Sequence, residues 1–212
     1  MLFRVKNNII TRERNSAMIR QQILELARQG TGLITSAQLK QMGIPSVYLT
    51  RLVREKLLHR VARGVYALSP HAQDPWFTLQ AQSPVCIFSY ASALYLHHAT
   101  DIIPARPEVT VYSGYNASHL GDAARVHYVK RSIHPLGEVT IATQFGNPVR
   151  CYDMERIVCD LIANRHKADA ELFVTTLQRY AQSPAMNSHK LMQYAGIMGI
   201  SSKVQQTMEI LV

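Results

Sequence analysis

Two histidines stand side by side at His97 and His98, and three carboxylates, Asp153, Glu155 and Asp160, fall within one short stretch. Metal chemistry needs such groups to converge on one point. Neighbouring positions of a helix point about 100° apart, so the histidine pair does not share one ion. His119, His127 and His134 have neither HxH nor HxxxH spacing. The three carboxylates resemble a magnesium-dependent nuclease set, but no lysine stands at nuclease-like spacing and Asp153 is placed to cap a helix. No phosphate loop, GxSxG or GxGxxG is present. Cys86, Cys151 and Cys159 are odd in number, lack CxxC spacing and have no histidine close by in sequence. They read as reduced, inert thiols of a cytoplasmic protein. These residues favour a protein that is not an enzyme, with no metal and no other cofactor.

Charge is the stronger signal. Residues 1–70 hold 12 Lys+Arg against 3 Asp+Glu, whereas residues 71–212 hold 11 of each. The whole net charge of +9 therefore sits in the first third. Cations gathered in one short module point to a polyanion, because Lys and Arg neutralise phosphates and release condensed counterions.

The elements that would position those cations read as a winged helix-turn-helix over residues 16–70, preceded by a basic tail at 1–15. Ser16 is placed to cap a helix running to about Gln29, with Ile19, Ile23, Leu24, Leu26 and Ala27 along one face and Gly30 as its stop. Residues 31–35 form a short connection. Thr35 and Gln38 have capping-box spacing and open a short helix that ends at Gly43, in the turn of a helix-turn-helix. A third helix runs from about Pro45 to Glu55. Tyr48, Leu49, Leu52 and Val53 face inward. Ser46, Val47, Thr50, Arg51 and Arg54 fall outward, and Ser46, Thr50, Arg51 and Arg54 are the recognition-helix candidates. Residues 58–61 and 65–68 alternate around the turn Ala62-Arg63-Gly64, which makes a β-hairpin wing with Arg60 and Arg63 on or near its tip.

The polar connector 69–75 separates a second domain at residues 74–212. Helices are expected at 76–81, from Ser89, and from the Asp153 cap, and again over 169–181, 188–198 and 201–211. Strands are expected at 85–88, 108–112, 126–129, 139–142 and 149–151. Mixed strands followed by helices give an α+β class. No run of about 18 apolar residues suggests a membrane span, and residues 1–14 lack the apolar core of a signal peptide.

From about residue 17 onward the chain resembles the AbiE-type antitoxins (AbiEi) of abortive-infection toxin–antitoxin systems. The resemblance rests on Leu52-Val53-Arg54-Glu55-Lys56-Leu57-Leu58-His59-Arg60-Val61-Ala62-Arg63-Gly64-Val65-Tyr66-Ala67-Leu68 and on Ser92-Ala93-Leu94-Tyr95-Leu96-His97. It also rests on the stretch 149–162, from Val149-Arg150-Cys151-Tyr152-Asp153 through Glu155-Arg156-Ile157 to Asp160-Leu161-Ile162. The family usually has Thr where Ile157 stands. The resemblance implies a non-enzymatic protein whose winged helix represses its own operon at repeated operator sites. It implies a second domain that counteracts a nucleotidyltransferase-like toxin, with or without a stable complex. Carried onto this chain, Ser46, Thr50, Arg51 and Arg54 become groove contacts and Arg60 and Arg63 wing contacts. Arg150, Glu155, Arg156 and Asp160 are candidates in the antitoxin domain, set against a structural salt-bridge role. Two other readings compete: a plain winged-helix transcription factor whose second domain senses a ligand or dimerises on DNA, and a nuclease with a DNA-binding arm.

Overall fold

The computed structural model describes residues 2–167 and 169–210, and the side chains of residues 14–166 and 169–210. The chain is α+β and divides into two compact units, Met1–Pro84 with Phe145–Asn147, and Val85–Gln144 with Pro148–Val212.

The first unit begins with α1 (Leu2–Gln29), β1 (Leu33–Thr35), α2 (Ser36–Gln41) and α3 (Val47–Arg54). It continues through β2 (His59–Ala62), β3 (Val65–Ala67) and α4 (Pro75–Gln82). The three strands form an antiparallel sheet in the order β1-β3-β2. Ile23 and Ala27 of α1 meet Ile34, Leu39, Ile44, Leu49, Leu52 and Leu58 in one core. Ile19, Leu24 and Leu26 pack against its margin, so the apolar face expected of α1 is the buried one. β1 lies where a plain connection was expected. Three residues are too few to show alternation, and the strand exists because Leu33, Ile34 and Thr35 pair with Ala67, Tyr66 and Val65.

Two boundaries differ from the sequence reading. The first helix does not start at Ser16; it is continuous from Leu2, and Ser16 lies within it. A serine caps only where the backbone before it leaves the helix, and residues 2–15 contain no Pro or Gly to force that. The first unit also extends past the connector at 69–75 to include α4. Asp74 opens that helix by accepting from Phe77 N at 3.1 Å, with Pro75 at the first position. Asp74 is buried, and its other oxygen accepts from Asn147 Nδ2 at 2.8 Å.

The second unit comprises β4 (Ile87–Phe88), α5 (Tyr90–Leu96), β5 (Glu108–Tyr112), β6 (Arg125–Val129), β7 (Glu138–Ala142) and β8 (Pro148–Tyr152). Helices α6 (Met154–Ala163), α7 (Ala170–Ala181), α8 (Ser188–Met198) and α9 (Ser201–Glu209) follow. The sheet order is β6-β5-β4-β8-β7. β4 runs parallel to β8 and β5 to β6, while β4–β5 and β7–β8 are antiparallel. α6 is the central helix, buried continuously from Glu155 to Ile162, and it packs with α5, α7, α8 and α9.

Gly137 marks how closely the backbone approaches α6. Its φ is +77°, and a Cβ there would lie 2.6 Å from Arg156 Cβ and 3.0 Å from Asp153 Oδ1. Gly137→Ala therefore adds a left-handed backbone cost of about 1–2 kcal/mol to an overpacking cost of about 1–3 kcal/mol. Urea denaturation should show a loss of about 2–5 kcal/mol; a change under about 1 kcal/mol would mean that the loop relaxes freely.

Candidate nucleic-acid interface

The helix-turn-helix is set by three local devices. Thr35 Oγ1 accepts from Gln38 N at 3.1 Å while Gln38 Oε1 accepts from Thr35 N at 2.7 Å, a complete capping box at the start of α2. α2 then turns at Gly43, whose φ of +71° suits a residue without a Cβ. Ile44 N closes the turn on Leu39 O at 2.8 Å and the Ile44 side chain enters the core.

α3 follows with its two faces sharply divided. Leu49 and Leu52 are fully buried, and Tyr48 and Val53 are half-buried around them. Ser46, Val47, Thr50, Arg51 and Arg54 are all exposed. At 3.6 residues per turn these five make one continuous outward stripe. Ser46 makes no capping bond with its side chain, so its hydroxyl is not committed to the helix end. The Arg51 guanidinium sits 5.6 Å from the Tyr48 ring centroid, within cation–π range. Glu55, the one acid at the end of this helix, is paired with Arg20 of α1. The stripe therefore presents cations and hydroxyls.

The wing is the β2–β3 hairpin. Arg60 pairs in register with Tyr66, a bulge separates Arg60 from Ala62, and Arg63 leads into the turn at Gly64. Arg60 and Arg63 are both exposed. A cleft of about 710 Å³ between the end of α3, β2 and the start of α4 adds Lys56 and His59 to its walls. All six residues assigned to DNA contact thus stand exposed on a single unit, at α3 and the wing.

The four candidates of the second unit have a different placement. Arg156 is fully buried. Its Nε donates to Asp160 Oδ2 at 3.1 Å, and its Nη1 donates at 2.7 Å to the carbonyls of both Ile133 and Leu136. The guanidinium lies 4.1 Å from the Tyr152 ring centroid. Tyr152 in turn donates its hydroxyl proton to His134 O at 2.7 Å, and His134 Nε2 donates to Thr110 O at 3.2 Å. Burial pushes the His134 pKa down. Glu155 is buried and accepts from the Tyr180 hydroxyl at 3.3 Å and from Lys190 at 3.0 Å. Arg150 is half-buried and reaches Glu138 at 3.4 Å and Cys86 O at 3.2 Å. The four are held inside the unit by the salt bridges and carbonyl contacts of its own fold.

Asp153 also has structural work. It caps α6 by accepting from Arg156 N at 2.9 Å, and it accepts from the Tyr194 hydroxyl at 3.0 Å and Lys190 at 2.9 Å. Tyr180, Lys190 and Tyr194 come from α7 and α8. Nothing in their local sequence announces that they complete this cluster. His97 Nε2 donates to Tyr152 O at 2.8 Å, while His98 takes a φ of +57° just beyond α5. Among the described residues no three His, Cys, Asp or Glu side chains converge as a metal site. All three cysteines are buried, and burial raises the Cys151 thiol and pushes the Cys159 thiol up to about 12.

Three strands beside a helix-turn-helix, with a hairpin following the outward-facing helix, define a winged helix. Residues 21–69, from α1 through the wing, match the family described as "Transcriptional regulator, AbiEi antitoxin". The AbiEi resemblance of the sequence is thus matched across the winged helix. Comparison with curated proteins finds no match. Among solved structures, the chain is similar to the crystal structure of the RV2827C protein from Mycobacterium tuberculosis. The TM-score is 0.53 at 14% identity, over 90% of this chain and 75% of that chain. That likeness is one of fold.

The Arg156–Asp160 pair has a pH signature. Burial pushes Asp160 up to about 6 from an ordinary 3.8, against the downward pull of Arg156. A carboxyl whose folded pKa is raised favours folding when protonated, and its contribution declines as pH rises from about 4 through 6. Arg156→Met removes the cation that holds the anionic form, leaving a buried charge that costs about 3–5 kcal/mol. Chemical denaturation should show the full deficit at pH 7.5 and a smaller one at pH 5, where Asp160 takes up a proton. Equal deficits at both would mean that Asp160 is not the stranded charge.

Proposed function

We propose that this protein is an autoregulating antitoxin. Its winged helix binds double-stranded operator DNA, with Ser46, Thr50, Arg51 and Arg54 of α3 in the major groove and Arg60 and Arg63 on the backbone beside it. Binding represses its own operon. The remainder of the chain counteracts a nucleotidyltransferase-like toxin encoded nearby, in the cytoplasm, without catalysis and with or without a stable complex. Arg150, Glu155, Arg156 and Asp160 serve that second task indirectly, by holding its fold.

The observation that carries the reading is the outward stripe of α3, exposed on the one module that holds the chain's entire net charge. A recognition helix needs an inner face that fixes it and an outer face of donors and cations, and α3 has both. The family matched by residues 21–69 is described both as a transcriptional regulator and as an antitoxin, which supports joining the two tasks in one chain.

Two substitutions separate the kinds of contact. Arg51→Ala should weaken binding to the selected operator by about 1–3 kcal/mol and relax its sequence preference. Arg63→Ala should weaken binding to all duplexes alike and lower the salt slope by about one. Titration of the full-length protein on DNA from upstream of its own gene, at several salt concentrations, measures both. Unchanged affinity in both variants would remove α3 and the wing as the interface. For the antitoxin task, the neighbouring gene is expressed alone, with the full-length protein, and with Arg51→Ala/Arg54→Ala. Growth should be lost in the first case and restored in the other two. A harmless neighbour would leave only the regulator.

A further inference from the structure

Val47 has no place in the contacts described so far, yet it sits in the middle of them. It is the first residue of α3 and is 48% exposed, while Leu49 and Leu52, on the opposite face of the same helix, are fully buried. It is the one apolar residue of the outward stripe, between Ser46 and Thr50 and one turn before Arg51. Ser46, Val47 and Thr50 are all short, so this end of the helix can approach base edges closely while Arg51 reaches further. In the major groove of unmodified DNA the 5-methyl group of thymine is the one alkyl group displayed, and apolar side-chain groups contact it.

We propose that Val47 reads a pyrimidine 5-methyl group, supplied by thymine, next to the base contacted by Arg51. Residues four apart on a helix have Cβ atoms about 5–6 Å apart, and successive bases on a strand are spaced by about 3.4 Å. The thymine and the base contacted by Arg51 are therefore adjacent or one base apart. This inference rests on the DNA-binding reading above, and it adds a specificity that charge alone does not supply.

The test uses full-length protein and duplexes selected from a random pool. Each thymine of the selected site is replaced in turn by deoxyuridine, which removes only the methyl group. Wild-type affinity should fall about fourfold at one position, the ratio expected for losing one buried methyl group. Val47→Ala should bind thymine and deoxyuridine alike there, with an unchanged salt slope showing that the phosphate contacts persist. A cytosine at that position should bind better when 5-methylated in the wild type only, which separates methyl recognition from recognition of thymine O4. Equal binding of deoxyuridine at every position would overturn the proposal, as would a thymine preference that survives in Val47→Ala. Failure to select any duplex is a distinct result, since it removes DNA binding itself and the inference with it.

Discussion

An eight-residue helix does not hold itself together in water, because nucleation is costly and too few hydrogen bonds follow it. α3 exists because Leu49 and Leu52 are driven into a core shared with Ile23, Ala27, Leu39 and Leu58. That constraint decides the rest of the first unit. Two inward leucines three residues apart fix the rotation of the helix about its axis, and rotation fixes which side chains face out. Ser46, Val47, Thr50, Arg51 and Arg54 are exposed as the complement of that buried face. The same core fixes the wing, since β3 joins β1 by register and carries buried Val65 and Ala67 beneath its turn.

The second unit depends on a different kind of restraint. A fully buried guanidinium is costly unless each of its groups finds a partner. Arg156 draws Asp160 from its own helix, two carbonyls from the segment before β7, and the face of Tyr152, while its Nη2 is buried without a hydrogen-bond partner among the described residues. Those demands pin residues 133–137 against α6, which is why Gly137 has no room for a Cβ. Asp153 and Glu155 then attach α8 through Lys190, and Glu155 attaches α7 through Tyr180. A motif dense in charge thus binds the sheet to the helices around it.

Much of the first unit was legible in local sequence. The capping box at Thr35 and Gln38, the turn at Gly43 and the inward set on α3 are each encoded within a few residues, so each could be read before any contact was known. The cap at Asp153 was legible for the same reason. What could not be read is what depends on distant partners. β1 exists through β3, and the sheet order of the second unit depends on pairings far apart in the chain. Ser16 looks like a cap because the residue type suits one, although the helix runs through it. Burial was the largest gap in the candidate sites. Arg150, Glu155, Arg156 and Asp160 offer the same charges in sequence whether they face solvent or each other, and only the fold turns three of the four inward.

The partition of charge bears on how two tasks share one chain. A chain that must find DNA gains from a dense positive field, which raises encounter rates and non-specific affinity alike. A surface that must recognise a protein among many gains little from such a field, since it would also attract nucleic acid. On the proposed function, confining the excess to residues 1–70 and leaving 71–212 balanced would keep a DNA-binding and a toxin-directed surface from competing for one partner. On the proposed reading, discrimination among DNA sequences falls to α3, to Arg51 as well as to its uncharged neighbours. If Arg60 and Arg63 contact only phosphates, they would draw any duplex alike, and discrimination would come from α3, where Arg51 and the short residues before it meet base edges.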